Sequence, residues 1–167
     1  MVDLVRPRHR PPVLRLDPHE RELMHQLLAE MRTLLVADLP RSDDVTSRLF
    51  PDASDDPREA EKYRELVGDE LRSSKLAAVV ALDEQLPSEG TAEVELEAER
   101  ITSLLSVLTD LRLAIGTRLG VTEETMEKVP EPDDPDAPAL SILHWLGWIQ
   151  ESVLSAINGR GGRWRRS

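Results

Sequence analysis

Residues 14–35, LRLDPHERELMHQLLAEMRTLL, decide the fold, because they combine a helix start with a long apolar stripe. Asp17 is an N-cap acid, Pro18 suits the first helical position, and Glu20 stands where a capping box requires it. The apolar side chains that follow recur at helical spacing: Leu23, Met24, Leu27, Leu28, Met31, Leu34 and Leu35. This stretch predicts an amphipathic helix that packs against a core and stops before Pro40.

Three further long helices are predicted along the chain. Asp56-Pro57-Arg58-Glu59 repeats the same start signal, and an apolar pattern of helical spacing then runs to Leu86. A third helix covers about Ala98 to Leu119 and stops at Gly120. The last helix covers Ala139 to Asn158 and is apolar on nearly every side, which is typical of a helix in the middle of a bundle or at a subunit interface.

Two short segments alternate apolar and charged residues, which is the pattern of a half-buried strand. They are Leu14-Arg15-Leu16 and the stretch from Ala92 to Leu96. After each segment, the apolar helix positions match at a shift of 80 residues: Met24 with Leu104, Leu27 with Val107, Leu28 with Leu108, and Met31 with Leu111. We expect residues 13–16 to pair with residues 93–96 as a ribbon, although convergent patterning would produce the same likeness.

The predicted fold is mainly α, a single-domain helical bundle of about four main helices with a small two-stranded β-ribbon. The low content of aromatic and β-branched residues disfavours an all-β sandwich. We divide the chain into a basic flexible N-terminal arm at 1–12, an acidic helical domain at 13–159 and a basic flexible C-terminal tail at 160–167.

Charge is distributed unevenly along the chain, whose net charge is −11. Residues 1–15 carry +3 and residues 160–167 carry +4, which leaves −18 for the residues between them. An acidic body repels polyanions, so we expect at most weak, salt-sensitive nucleic-acid binding, confined to the two ends. The residues of the tail expected to take part are Arg163, Trp164, Arg165 and Arg166.

Composition also excludes several classes of protein. The chain contains no cysteine, which excludes thiol catalysis, cysteine-based zinc sites, iron–sulfur clusters and thiol redox switches. No apolar run reaches the roughly 18 residues of a membrane span, and residues 1–12 lack the apolar stretch of a signal peptide. We therefore expect a cytoplasmic protein without a membrane partner.

The motifs of enzymes are missing or incomplete. Glu22 and His25 have the spacing used in di-metal helical bundles, but the other helical histidine, His144, has Ser141 where the second carboxylate should stand. The sequence holds neither a glycine-rich phosphate loop before a helix nor a nucleophile elbow. We predict a protein that is not an enzyme and has no catalytic residue, cofactor or metal, and a hydrolase or metal enzyme ranks third among the functions considered.

Residues 113–129 resemble a helix-turn-helix corner, because a helix ending in Arg118-Leu-Gly-Val-Thr122 is followed by a short amphipathic stretch. Direct DNA binding through this corner, as a transcription factor, is the alternative function. The exposed positions of its second helix are Glu123, Glu124 and Glu127, which would be repelled by phosphates in the major groove. We therefore interpret the corner as structural.

The last helix also predicts an interface. Trp145 and Trp148 flank Gly147 about one turn apart, and Leu143 belongs to the same apolar segment. A bundle of four helices cannot easily cover such a helix on every side, and a two-fold dimer is the commonest way to bury the remaining face. We expect a homodimer. Arg112, beside the apolar stripe of the third helix, is predicted to form a structural ion pair with a carboxylate inside the bundle.

Three segments together resemble a known family: Arg48-Leu-Phe-Pro-Asp-Ala53, Leu108-Thr-Asp-Leu-Arg-Leu-Ala-Ile-Gly-Thr-Arg-Leu-Gly120 and Leu143-His-Trp-Leu-Gly-Trp-Ile-Gln-Glu-Ser152. They are similar to an actinobacterial family of uncharacterised proteins described as AosR-like, commonly encoded beside the ClpS adaptor and cysteine-synthesis genes. The resemblance implies a stress- or amino-acid-linked regulator or co-regulator of transcription that acts through protein–protein contacts, with transcription machinery or another protein as its partner. It implies no catalytic residues. Any relative that senses oxidants through cysteines differs from this chain, which has none.

Overall fold

The structure is a computed structural model that describes residues 2–37, 43–51, 55–122, 124, 127 and 131–158, with only the backbone of residues 64 and 65. Its elements are β1 (Asp3–Val5), β2 (Val13–Leu16), α1 (Pro18–Val36), α2 (Asp44–Leu49), α3 (Pro57–Glu84), β3 (Ala92–Glu95), α4 (Ala98–Leu119) and α5 (Ala137–Ile157). The prediction of a mainly helical fold is confirmed. The short helix α2 is additional to the four long helices, so the number of helices exceeds the prediction.

The helix ends follow the local signals in the sequence. Asp17 caps α1 by accepting a hydrogen bond from the Glu20 backbone N–H at 2.8 Å, and the Glu20 carboxylate accepts one from the Asp17 N–H at 3.0 Å. Asp56 caps α3 through the Arg58 N–H. Helix α4 ends at Gly120, whose φ of 64° lies in the left-handed region that favours glycine. The predicted capping box and both proline-marked helix starts are therefore confirmed.

A three-stranded antiparallel sheet in the order β1-β2-β3 lies on one side of the helices. Leu14 lies opposite Val94 and Leu16 opposite Ala92, so the predicted pairing of these two segments is confirmed. All four side chains are buried. On the other face of the sheet, Arg15 pairs with Glu93 at 3.0 Å, and both side chains are exposed. The alternation of apolar and charged residues thus separates a core face from a solvent face.

Strand β1 is the main departure from the predicted organisation. Asp3–Val5 were assigned to a flexible arm, but they pair with β2 and extend the ribbon to three strands. Two contacts hold this edge strand: the Val2 side chain is buried in the core, and its N–H donates to the Glu20 carboxylate. The basic side chains of the expected arm, Arg6, Arg8 and Arg10, are exposed in the loop between β1 and β2.

The offset of 80 residues extends from the sequence to the fold. Leu14 and Val94 are 80 residues apart and face each other, so the ribbon has a local two-fold axis at this pair. Helices α1 and α4 begin at positions 18 and 98, and α3 and α5 begin at positions 57 and 137. Asp56 and Asp136 occupy the N-cap positions of α3 and α5. The domain therefore repeats one plan of a strand followed by helices.

Helix α4 lies at the centre of the packing among the described elements, since it contacts α2, α3 and α5, while α1 packs mainly against α3. The buried core joins side chains from all three layers, including Leu16 in the sheet, Leu28 in α1, Leu108 in α4 and Ile149 in α5. Helix α5, which we predicted at the centre of the bundle or at an interface, packs chiefly against α4 and flanks the bundle. Each helix within the described residues falls short of what crossing a membrane requires.

One turn links the two halves of the domain. The Arg21 Nε of α1 donates to the Gly90 carbonyl at 2.9 Å, and the His25 Nε2 lies 3.1 Å from the Pro87 carbonyl. Gly90 has a φ of 78°, which a residue with a side chain rarely adopts. The side chains of α1 thereby position the turn that leads into β3.

A buried ion pair joins α3 to α4. The Lys75 Nζ donates to both carboxylate oxygens of Asp110 at 2.9 Å, and the two side chains are 14% and 11% exposed. Removing one partner from such a pair leaves an unpaired charge in the interior, whereas replacing both with apolar residues is often neutral. The pair therefore fixes the registration of the two helices.

We expect the Lys75→Met variant to lose about 3 kcal/mol of unfolding free energy, because Asp110 is left buried without a partner. The double variant Lys75→Met/Asp110→Leu should recover most of that loss, as measured by urea denaturation. Arg15→Ala, which breaks the exposed pair with Glu93, serves as the control and should cost less than about 1 kcal/mol. A Lys75→Met effect as small as that of the control would contradict the burial of the pair.

Candidate functional site

The contact between α4 and α5 brings together two residues singled out by the sequence, Arg112 and Gly147. The guanidinium carbon and Nη2 of Arg112 lie 3.4 Å from the position that a Cβ on Gly147 would occupy. The absence of a side chain at Gly147 therefore lets the guanidinium lie against the surface of α5. Arg112 Nη1 also donates to the Gln150 Oε1 at 2.7 Å.

The partner of Arg112 differs from the prediction. We expected a carboxylate, but the guanidinium binds the neutral amide of Gln150, and no carboxylate pairs with it among the described residues. Gln150 is oriented in turn by donating from Nε2 to the Thr109 hydroxyl at 2.8 Å. The Nε of Arg112 is buried without a hydrogen-bond partner in this part of the chain. Arg112 is a structural link between helices, formed without an ion pair.

The predicted interface residues of α5 occupy different environments. Leu143 is 3% exposed, so it contributes to the interior of this chain and is not a surface residue. Trp145 and Trp148 are partly buried and pack against the core. The exposed apolar side chains of α5 lie nearer its C-terminal end, where Leu154 and Ile157 are 43% and 48% exposed.

An apolar groove lies between the C-terminal halves of α1 and α4, which we call the α1–α4 groove. It encloses about 610 Å³. Its apolar lining residues are Leu27, Ala29, Met31, Leu34, Ala37, Leu111, Ala114 and Ile115. Its polar lining residues, Glu30, Thr33 and Arg118, are all exposed. The sequence predicted the apolar residues as a core stripe, since periodicity does not distinguish a covered helix face from an open one.

Electrostatics tie the α4 wall of the groove to α2. Hydrogen bonds from the Thr46 backbone N–H and hydroxyl hold the pKa of Asp43 below its usual value, and the nearby charge of Arg118 adds to the effect. Asp43 is the N-cap of α2, which packs against α4. Arg118 therefore stands between the groove and an acidic helix start, and it supplies positive charge at this edge of the groove.

Several predicted sites lie outside the described residues. Arg163, Trp164, Arg165 and Arg166 of the basic tail are among them, so their role in nucleic-acid binding stays a prediction. Of the second helix of the 113–129 corner, the structure describes only Glu124 and Glu127, both helical and exposed. Two carboxylates thus point to solvent where a recognition helix would meet DNA phosphates.

The Glu22 and His25 spacing does not assemble a metal site in the described part of the chain. His25 Nδ1 lies 2.6 Å from Asp83 Oδ1, and Glu22 lies 3.4 Å from the Arg21 guanidinium. Over the same residues, no group of three or more histidine, aspartate or glutamate side chains is arranged to hold a metal ion. His25 instead connects α1 to the end of α3.

Comparison with known proteins identifies one family. The sequence model of a family described as a domain of unknown function (DUF2017) matches residues 3–157. No curated protein and no solved structure matches the chain. The matched region begins with β1 and ends with α5, so the unit shared by the family includes the edge strand and leaves out the basic tail.

Substituting Gly147 tests the α4–α5 contact. Gly147→Leu should lower the free energy of unfolding by about 1–3 kcal/mol, because the new side chain displaces the Arg112 guanidinium and breaks its bond to Gln150. Gly116→Leu is the matched control: no atom lies within 4 Å of its Cβ position, and replacing a helical glycine relieves about 0.5–1 kcal/mol of backbone entropy. Equal effects of the two substitutions in urea denaturation would refute the contact.

Proposed function

The chain belongs to the DUF2017 family, and we propose that it is a non-enzymatic regulatory protein that acts by binding another protein. The observation that carries the proposal is the α1–α4 groove, an open apolar surface between two long helices. Monomeric proteins seldom leave a contiguous apolar surface exposed unless it binds something. The groove is therefore the part of the described fold that is best suited to a partner.

The occupant that we propose is an amphipathic helix of the partner. A groove between two helices receives the apolar anchors of a third at positions i, i+3 or i+4, and i+7. The lining side chains are mostly leucine, isoleucine, methionine and alanine, which offer packing without fixed polar demands. Glu30 on α1 and Arg118 on α4 carry opposite charges, which favours a helix with basic side chains along one flank and acidic side chains along the other.

We propose that the partner belongs to the transcription machinery and that the regulation is linked to stress or amino-acid metabolism in the cytoplasm. The likeness of the segments at 48–53, 108–120 and 143–152 to the AosR-like family supports this choice. A redox switch is no part of the proposal, because the chain contains no cysteine. The chain would act as a co-regulator through protein contacts, without reading DNA itself.

Site-specific photo-crosslinking in the native cell tests the groove. A benzophenone amino acid replaces exposed Thr33 in the groove, and in the control it replaces Leu66, which is 78% exposed on α3. We expect the probe at position 33 to crosslink one protein through an amphipathic helical segment identified by mass spectrometry. The probe at position 66 should not capture that protein.

The corresponding synthetic peptide then gives a quantitative measurement with purified protein. Leu34→Glu places a charge on the groove wall and should weaken peptide binding by about tenfold or more. Leu66→Glu makes the same chemical change away from the groove and should leave the affinity unchanged. Circular dichroism checks that both variants are folded. Equal crosslinking at the two positions, or equal affinities of the two variants, would contradict the proposal.

We further propose that the protein is a homodimer that buries the exposed apolar side chains of α5. Leu154 and Ile157 supply that surface, and α4 is the main neighbour of the helix within the described elements. Sedimentation equilibrium at micromolar concentration should give twice the 18.8 kDa mass of the chain. Leu154→Glu/Ile157→Glu should convert the dimer to monomer, whereas Leu66→Glu should not. A wild-type species of 18.8 kDa alone would rule out the dimer.

A further inference from the structure

A second, smaller pocket opens between the end of α3, strand β3 and the first turns of α4. It encloses about 250 Å³. Its floor consists of apolar side chains that are at most 6% exposed: Leu82, Val94, Leu96 and Leu104. Its polar lining residues are Gln85, Glu99, Arg100 and Ser103. None of these residues lines the α1–α4 groove, so the two cavities are separate.

One polar atom in this pocket is buried without a partner. The side-chain oxygen of Gln85 is inaccessible to solvent and accepts no hydrogen bond within the described structure. Leaving such an acceptor unsatisfied costs about 1–3 kcal/mol, so native proteins rarely keep one unless a ligand or a water supplies the donor. The Gln85 oxygen therefore marks where a hydrogen-bond donor belongs.

Charges of opposite sign stand beside this acceptor. Glu99 and Arg100 occupy the first turn of α4, and Arg100 uses one of its donors on the Glu95 carbonyl at 3.3 Å. A guanidinium has five donors, so others are available for an anion. The N-cap residue of α4, Glu97, makes no side-chain capping bond, and an uncapped helix N-terminus also favours negative charge. The pocket thus offers an acceptor, an anion, a cation and an apolar floor.

We propose that this pocket binds a small zwitterion with an apolar side chain, namely an aliphatic α-amino acid. The ammonium group donates to the Gln85 oxygen and faces the Glu99 carboxylate, and the carboxylate group accepts hydrogen bonds from Arg100. The aliphatic side chain contacts the apolar floor. The volume lies below the roughly 300–1,000 Å³ of sites for larger ligands, which favours a molecule of this size over a nucleotide.

Isothermal titration of the full-length protein with L-leucine tests the proposal directly. Two analogues of the same shape separate the contributions: isovalerate lacks the ammonium group, and isoamylamine lacks the carboxylate group. We expect L-leucine to bind with a Kd below about 1 mM and each analogue to bind at least about tenfold more weakly. The absence of binding by L-alanine, L-valine and L-leucine, or equal binding of L-leucine and both analogues, would overturn the proposal.

Substitutions assign the binding to this pocket. Gln85→Leu removes the unpaired acceptor, so it should weaken L-leucine binding about tenfold while it increases the stability of the ligand-free protein. Arg100→Gln, at an exposed position, should weaken binding by a similar factor without changing the fold. Arg58→Gln makes the same change at the exposed start of α3 and should bind as the wild type does. Unchanged affinity in Gln85→Leu and Arg100→Gln would place the binding elsewhere and overturn the assignment.

A crystal structure of the protein grown with L-leucine distinguishes a ligand from solvent. We expect the ammonium nitrogen within hydrogen-bond distance of the Gln85 oxygen. A single ordered water at that oxygen, with no amino acid in the pocket, would show that the acceptor is merely hydrated and would refute the site. Because the α1–α4 groove does not share these residues, failure of either proposal leaves the other standing.

Discussion

The antiparallel pairing of β2 with β3 is the constraint on which the rest of the domain depends. Leu14 and Val94 face each other at the centre of the ribbon, and each strand leads almost directly into a long helix. Because antiparallel strands end at opposite ends of the ribbon, the two helices start at opposite ends as well. A change of one residue in this register would turn Leu14 and Leu16 to solvent and would separate α1 and α4 from their shared core.

Polar contacts then determine how the helices fit over that ribbon. Lys75 and Asp110 join α3 to α4 from the inside, and Arg112 joins α4 to α5 by lying against Gly147. Arg21 of α1 binds the turn that precedes β3. Apolar packing alone would permit several helix registrations, whereas each of these charged groups is satisfied in one arrangement only. The large number of charges in the chain is therefore partly structural.

Helix α4 connects the architecture to both proposed sites. Its first turns border the small pocket beside Gln85, its middle carries Asp110 and Arg112, and its last turns form one wall of the α1–α4 groove. A single rigid helix that contacts three other helices thus holds the residues of each site in fixed relative positions. The groove exists because the apolar stripes of α1 and α4 continue beyond the region in which the two helices are covered by other elements.

The sequence by itself determined the features that depend on neighbouring residues. The Asp17 and Asp56 caps, the glycine stop at Gly120 and the alternating strand at 92–95 are local, because their hydrogen bonds and side-chain periodicities involve residues a few positions apart. Tertiary structure decided whatever depends on residues far apart in the chain. The pairing of β1 with β2, the choice of Gln150 over a carboxylate as the partner of Arg112, and the burial of Leu143 are of this kind. Periodicity identifies an apolar helix face, but only the position of the other elements decides whether that face is core, groove or interface.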